Sequence, residues 1–300
     1  MGSTKEIKNH INSVQDVQKI TNAMYLISSS KMQKAKNSLD QTRPYFSALR
    51  EEIKRIFRTS ETLDSPYFYP ANATSDDLSG TYGYLVITAD KGLAGAYNQS
   101  VVREAMRLID QHDDNLLFVV GEYGRRYFNS HHIPIEQSFL YTAQHPSMHR
   151  ARKICSILLD QYTQGKLVKL FVIYTDFNRG GASTACSTRL LPFHRAQFAT
   201  TKQEKAITVP FEFQPSIATV LDSIIPSYVT GFVYSALVDS FCCEQNARMT
   251  AMDSANDNAQ KLLDDLSMEY NHVRQNAITQ EIIEISSGAR GQKKTTAGGR

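Results

Sequence analysis

The stretch FVYSALVDSFCCEQNARMTAMDSANDNAQKLLDDLSMEYNHVRQNAITQEIIEISS, residues 232–287, contains neither glycine nor proline. The two residues that most strongly disfavour a helix interior are thus missing from it. Small and apolar side chains recur at a 4-3 spacing: Met252, Ala255, Ala259, Leu262, Leu266, Tyr270, Val273 and Ala277. That spacing predicts a helix with a coiled-coil seam, and Ile278, Ile282 and Ile285 add a second apolar edge. At 1.5 Å per residue the segment spans roughly 80 Å if unbroken, whereas helices of globular domains usually stop after about three or four turns. A helix of that length needs a partner of similar length.

The other end of the chain supplies one. Residues 3–79 contain no glycine. Ser3 or Thr4 suits an N-cap, with Glu6 in the first turn. The seam here reads Ile7, Ile11, Val14, Gln18, Thr21, Tyr25, Ser28, Met32, Ala35 and Leu39, with Gln18 the plain polar exception. Val17, Ile20, Met24 and Ile27 form a second apolar edge, so the helix has more than one surface for partners. Pro44 is expected to kink the helix or start a new one. Met24, Met32, Met249 and Met252 fall on apolar faces and read as core packing.

Between the two helices the pattern changes. Buried strands are expected at 82–88, 116–120 and 168–174, and helices at 98–111, 122–130 and 147–164. Strand and helix in alternation imply a parallel sheet. A strand at 184–191, after Gly180-Gly181, is expected to pair antiparallel, and a short strand at 211–213 to close the domain. The fold class is therefore α/β, a long antiparallel coiled coil of N- and C-terminal helices plus a central Rossmann-like domain. The expected divisions are a helix at 1–58, a linker at 59–80, a head at 81–215, a second helix at 216–287 with a possible break at Pro226, and a disordered basic tail at 288–300.

Composition limits the function. Net charge is +3 over 300 residues, too small to make nucleic acid the main partner. Lys31, Lys34, Lys36, Arg43, Arg50, Lys54, Arg55 and Arg58 make the first helix basic; such a stripe is ordinarily a solvated face, and the sharper reading is contact with an acidic partner. Cys155, Cys186, Cys242 and Cys243 form neither a C-x-x-C pair nor a disulfide framework, and free thiols imply a reducing compartment. No signal peptide is visible, and no apolar run is expected to reach the 18 or so residues of a membrane span. A soluble, cytoplasmic chain that could sit beside a membrane is expected.

No site chemistry assembles from local motifs. The turn Thr88-Ala89-Asp90-Lys91-Gly92-Leu93-Ala94-Gly95 lies where α/β domains bind ligands, yet it matches neither the P-loop nor G-x-G-x-x-G. His145 and His149 lack a third metal ligand, and His131-His132 reads as solvated. Catalytic, metal-binding and cofactor-binding residues are all expected to be absent. Arg274, Gln275, Thr279, Gln280, Glu281 and Glu284 crowd the end of the last helix beside its isoleucines. They are either a solvated face or a surface that slides against other proteins.

Three stretches resemble the gamma subunit of F-type ATP synthase. The first is Lys5-Glu6-Ile7 with Gln18-Lys19-Ile20-Thr21-Asn22-Ala23-Met24 and Ser30-Lys31-Met32. The second is the turn from Thr88 to Asn98, where Lys91 stands for the family's usual Arg, Ala94 for Cys and Ala96 for a common Gly. The third and most specific runs from Glu244 to Ala255, then through Asp257-Asn258, Tyr270-Asn271, Arg274-Gln275 and Ile278 to Ile285. The resemblance implies a central rotor stalk with no chemistry of its own. It implies as partners the alpha and beta subunits of a catalytic hexamer, an epsilon subunit and a ring of c subunits. Proton or sodium flow turns the ring, and membrane contact comes only through the complex, on the cytoplasmic face of a bacterial plasma membrane. By resemblance the coupling contacts are Met24, Lys31, Glu244, Arg248, Arg274, Gln275, Thr279 and Glu281. Charge reversal at Arg248 is then expected to lower ATP synthesis more than hexamer assembly. The family usually ends soon after Gly288-Ala289, so the basic tail is additional. The competing readings are a nucleotide-binding α/β enzyme using Asp90, Lys91 and Gly92, and a coiled-coil tether with no rotary role.

Overall fold

The computed structural model describes residues 4–59, 65–69, 78–140, 143–177, 183–194, 198 and 213–297. The chain forms two compact units: Met1–Ile27 with Met249–Arg300, and Ser28–Arg248. Both units draw on the two terminal helices, α1 (Thr4–Thr59) and α5 (Ile217–Ala297). The boundaries thus fall inside these helices, not at the helix–head junctions that the sequence suggests.

The smaller unit is a helix pair. Ile7 and Val14 of α1 are buried against Leu263 and Leu266 of α5, with Ile11, Ala259, Tyr270 and Val273 around them. The pairing is antiparallel, because Gln18 Nε2 donates to Gln260 Oε1 at 3.3 Å and Thr21 Oγ1 to Asn256 Oδ1. The polar seam positions Gln18 and Thr21 are thus matched by polar residues opposite, which removes most of the penalty for placing them there. Two expected seam residues are corrected: Ala277 is exposed, and Leu262 is 40% exposed where Leu263 is 8%. Between the seven-spaced Ala259 and Leu266 a heptad step can fall on either leucine, and the residues of α1 opposite take Leu263.

The larger unit is built on a five-stranded sheet of order β3-β2-β1-β4-β5. Its strands are β1 (Tyr82–Ile87), β2 (Asn115–Val120), β3 (Gln137–Phe139), β4 (Lys169–Phe177) and β5 (Ser183–Leu191). The first four are parallel, with Tyr82 opposite Asn115 on one side and Lys169 on the other, and β5 is antiparallel to β4. Helices α2 (Tyr97–Ile109), α3 (Glu122–Ser130) and α4 (Met148–Thr163) make the crossovers. Alternate strand residues sort to two faces. Tyr84, Val86, Leu117 and Val119 pack on α2 and α3. Leu85, Ile87, Phe118 and Val120 share a core with Ile53 and Ile56 of α1, Ile154 and Leu158 of α4, and Leu221, Ile225, Val229 and Val233 of α5.

Several expectations are corrected. Strand β3 is only three residues long, too short to show a period in sequence, and pairs with Phe118–Val120. Of the expected linker, residues 65–69 belong to the core: Tyr67, Phe68 and Tyr69 are buried, and Phe68 bridges Phe193. Residues 60–64 and 70–77 of that linker lie outside the described residues, as do 211 and 212 of the expected last strand. Neither Pro44 nor Pro226 interrupts its helix. Burial of Leu39, Ile53 and Ile56 around the first, and of Leu221, Ile225 and Val229 around the second, offsets the roughly 3 kcal/mol that an interior proline costs. Helix α5 also continues past Gly288 to Ala297, where the sequence suggests a disordered tail. Gly288 and Gly291 each cost a helix only about 1 kcal/mol, and Ala289, Arg290, Gln292, Lys293 and Lys294 are good helix formers. Finally, α5 contains an 18-residue window of mean hydropathy 1.3, apolar enough by composition to cross a bilayer. Leu221, Ile225, Val229, Val233 and Leu237 of this helix are at most 2% exposed, so its apolarity serves the core.

Candidate functional site

The strand order reverses beside β1, which leads to β2 on one side and has β4 on the other. Ligands of open α/β sheets bind beyond the strand ends at such a point. Here the turn after β1 is filled by the protein itself. Asp90 Oδ1 accepts from the backbone N–H of Glu122 at 3.0 Å, so a side-chain carboxylate caps α3. Asn98 Oδ1 accepts from the N–H of Ala89 at 2.9 Å, and Thr88 Oγ1 accepts from the N–H of Gly124 at 2.9 Å. A Cβ on Gly121 would lie 2.2 Å from the Thr88 carbonyl oxygen, so the two strand ends are in close contact. Outside this packing, Asp90, Lys91, Gly92, Glu122, Tyr123 and Arg126 border an open groove of 450 Å³.

Arg248 closes the turn from the α5 side. Its Nη2 donates to Glu244 Oε1 at 2.7 Å, one helical turn back, and to the Gly92 carbonyl oxygen at 2.9 Å. Glu244 is 5% exposed and Arg248 7%. Burial pushes the Glu244 carboxyl above its ordinary range; the Arg248 guanidinium pulls it back, Asp90 pushes it up and Lys31 pulls it down. Tyr97 lies beside this group. Its phenol is driven up by burial and then by the Glu244 carboxylate. Cys243 Sγ donates to the Thr175 carbonyl at 3.6 Å on the same side of the sheet. The sequence offered no signal for the Gly92 contact, because a backbone carbonyl is not a residue type.

The other sequence-derived contacts lie elsewhere. Arg274, Gln275, Thr279 and Glu281 are exposed on α5, in the helix-pair unit. Around them Ile278, Ile282, Ile283 and Ile285 are 49–73% exposed. Thr279 Oγ1 donates to the Gln275 carbonyl at 2.9 Å and stays on its own helix. Met24, in that same unit, is half-buried. Lys31 is exposed in the larger unit and lines a 370 Å³ groove with Lys34, His145, Tyr234 and Phe241. The structure therefore brings Glu244 and Arg248 together and leaves the C-terminal set as an open surface.

A three-layer α/β unit and an antiparallel helix pair that both draw on two very long terminal helices define a narrow class of chains. A family model described as ATP synthase matches residues 3–291. The gamma chain of Caldanaerobacter subterraneus subsp. tengcongensis is 39% identical over 95% of this chain and 98% of its own. The gamma chain of Ruminiclostridium cellulolyticum is 36% identical over 95% and 97%, and the sodium-ion-specific gamma chain of Acetobacterium woodii 33% over 96% and 98%. Among solved structures, the central stalk and c ring of Tetrahymena thermophila mitochondrial ATP synthase contains a chain similar over 79% of this one and 99% of its own. That likeness has a TM-score of 0.56 and 26% identity. The rotor of the Euglena gracilis enzyme shares the fold at TM-score 0.62 and 15% identity, over 92% and 98%. The chain belongs to the family of ATP synthase gamma chains, and its role is that of the central rotor stalk. It is a subunit of a membrane-associated complex and takes its partners from that assembly.

Proposed function

We propose that this chain transmits torque and performs no chemistry. Turned by an ion-driven c ring and accompanied by an epsilon subunit, it drives a hexamer of alpha and beta subunits through its catalytic states. The complex works at the cytoplasmic face of a bacterial plasma membrane, and the chain meets the membrane only through it. One observation carries the reading. Between residues 275 and 285, α5 exposes Ile278, Ile282, Ile283 and Ile285 beside Gln275, Thr279 and Glu281, a mixture of apolar contact and breakable hydrogen bonds. Such a face suits a surface that must bind several catalytic conformations and be released from each. The packing of the turn after β1 argues against nucleotide chemistry. The N–H groups at Ala89, Glu122 and Gly124 that would cradle a phosphate already have side-chain acceptors.

The test is reconstitution with alpha and beta subunits and the membrane sector. The variant Gln275→Ala/Thr279→Ala/Glu281→Ala is expected to assemble like the parent and to lose at least threefold in coupled ATP synthesis. Unchanged synthesis by the assembled triple variant would remove the coupling role from this surface. Charge reversal at Arg248 is a poorer test than the sequence suggests, because Arg248→Glu would place a second carboxylate against buried Glu244 and disturb folding as well.

A further inference from the structure

We infer that Glu244 and Arg248 act within the chain, as a latch that fastens the turn after β1 to α5, with Glu244 the residue that positions Arg248. The inference rests on the rotor reading and concerns how torque passes between parts of one subunit. A guanidinium 7% exposed with no other chain present has little surface to offer a partner. One nitrogen, Nη2, spans 2.7 Å to Glu244 and 2.9 Å to the Gly92 carbonyl, and such charge-assisted hydrogen bonds are about twice as strong as neutral ones. Glu244 sits one turn before Arg248 on α5, so its carboxylate fixes the rotamer that reaches Gly92.

The turn needs such an anchor. Leu93 and Gly95 both adopt left-handed φ, 62° and 52°, and a leucine seldom does so unaided. The turn ends are tied by Tyr123 N–H to the Ala89 carbonyl at 3.1 Å and Tyr97 N–H to the Ala94 carbonyl at 3.2 Å. Between those ties lie Asp90, held by its own bond to the Glu122 N–H, and the exposed Lys91, Gly92 and Leu93; the Arg248 contact falls on Gly92. Beside the pair, Asp90 raises and Lys31 lowers the cost of charging Glu244, so removing either member leaves a buried charge poorly matched. A load applied to the turn thus reaches α5 through a directional bond.

The experiment restores the latch without arginine. In the complete complex, with Cys186 replaced by serine, Gly92→Cys/Arg248→Cys is joined or not by a short bifunctional thiol reagent. A Cβ at Gly92 meets no atom within 4 Å, and Cys155, Cys242 and Cys243 are buried. The unjoined variant is expected to lose at least fivefold in ATP-driven ion pumping per ATP hydrolysed, and joining to restore at least half of it. If the joined complex stays as uncoupled as the unjoined one, Arg248 must reach another chain and the latch is wrong. The rotor reading would survive that result, and would fall only if the complex carrying the parent chain were itself uncoupled. A second measurement does not depend on assembling the double variant. In Arg248→Met, amide hydrogen exchange at Gly92 and Leu93 is expected to quicken at least tenfold, and Glu244→Gln, which keeps an acceptor, to give a smaller rise. Unchanged exchange in Arg248→Met overturns the proposal.

Discussion

Gly121 sits where β2 ends and α3 begins, with φ at 95°. Any side chain there meets both a disfavoured backbone and the Thr88 carbonyl, 2.2 Å from the position of a Cβ. Gly121→Ala is therefore expected to lower unfolding free energy by about 2–4 kcal/mol, read by denaturant titration. Asp239 offers a test with a pH sign. Burial, then the neighbouring Asp176, pushes its carboxyl up from 3.8 to about 6, and Arg43 pulls it partly back. A raised acid favours folding in its protonated form, so its contribution is complete below 3.8 and is lost as pH rises through about 6. Asp239→Asn should thus be more stable than the parent near pH ~8, by at most about 3 kcal/mol, with the gap closing towards pH ~4. A gap that is constant with pH would show that Asp239 is ionised in the folded chain without penalty.

At the level of elements, the helix seams were legible because a 4-3 repeat needs no tertiary knowledge. Its phase in α5 was not. Leu262 and Leu263 are adjacent and identical, and only their partners on α1 distinguish them. Leu263→Ala is accordingly expected to speed amide exchange of α5 around residue 263 about tenfold or more, since such truncations cost about 2–5 kcal/mol. Leu262→Ala should leave it nearly unchanged. The alternation of strand and helix was also readable, since apolar runs such as Leu116–Val120 have few other uses. The short β3 and the core segment 65–69 were not, because their burial depends on neighbours distant in sequence: Phe68 packs on Phe57, Phe193 and Phe198. The candidate site divided in the same way. Resemblance pointed to Glu244 and Arg248, as partner contacts; only coordinates supply the Gly92 carbonyl that gives the pair its direction.

Across the whole molecule, cohesion is uneven. The sheet unit has apolar cores on both faces, whereas among the described residues the helix-pair unit has one small buried cluster of Ile7, Val14, Leu263 and Leu266. Local stability follows buried apolar contact, so on warming the isolated chain, amides of α1 and α5 in the smaller unit should exchange well before those of β1 and β2. Simultaneous loss of protection would mean that the units melt as one. The exposed isoleucines at 278–285 of α5 have a consequence for the cell. A newly made copy waiting for its partners carries a sticky, unsheathed apolar patch, the kind of surface that drives orphan subunits into aggregates. If the proposed partner surface is right, synthesis of this chain is matched to that of the other subunits, and surplus copies should be found with chaperones or proteases.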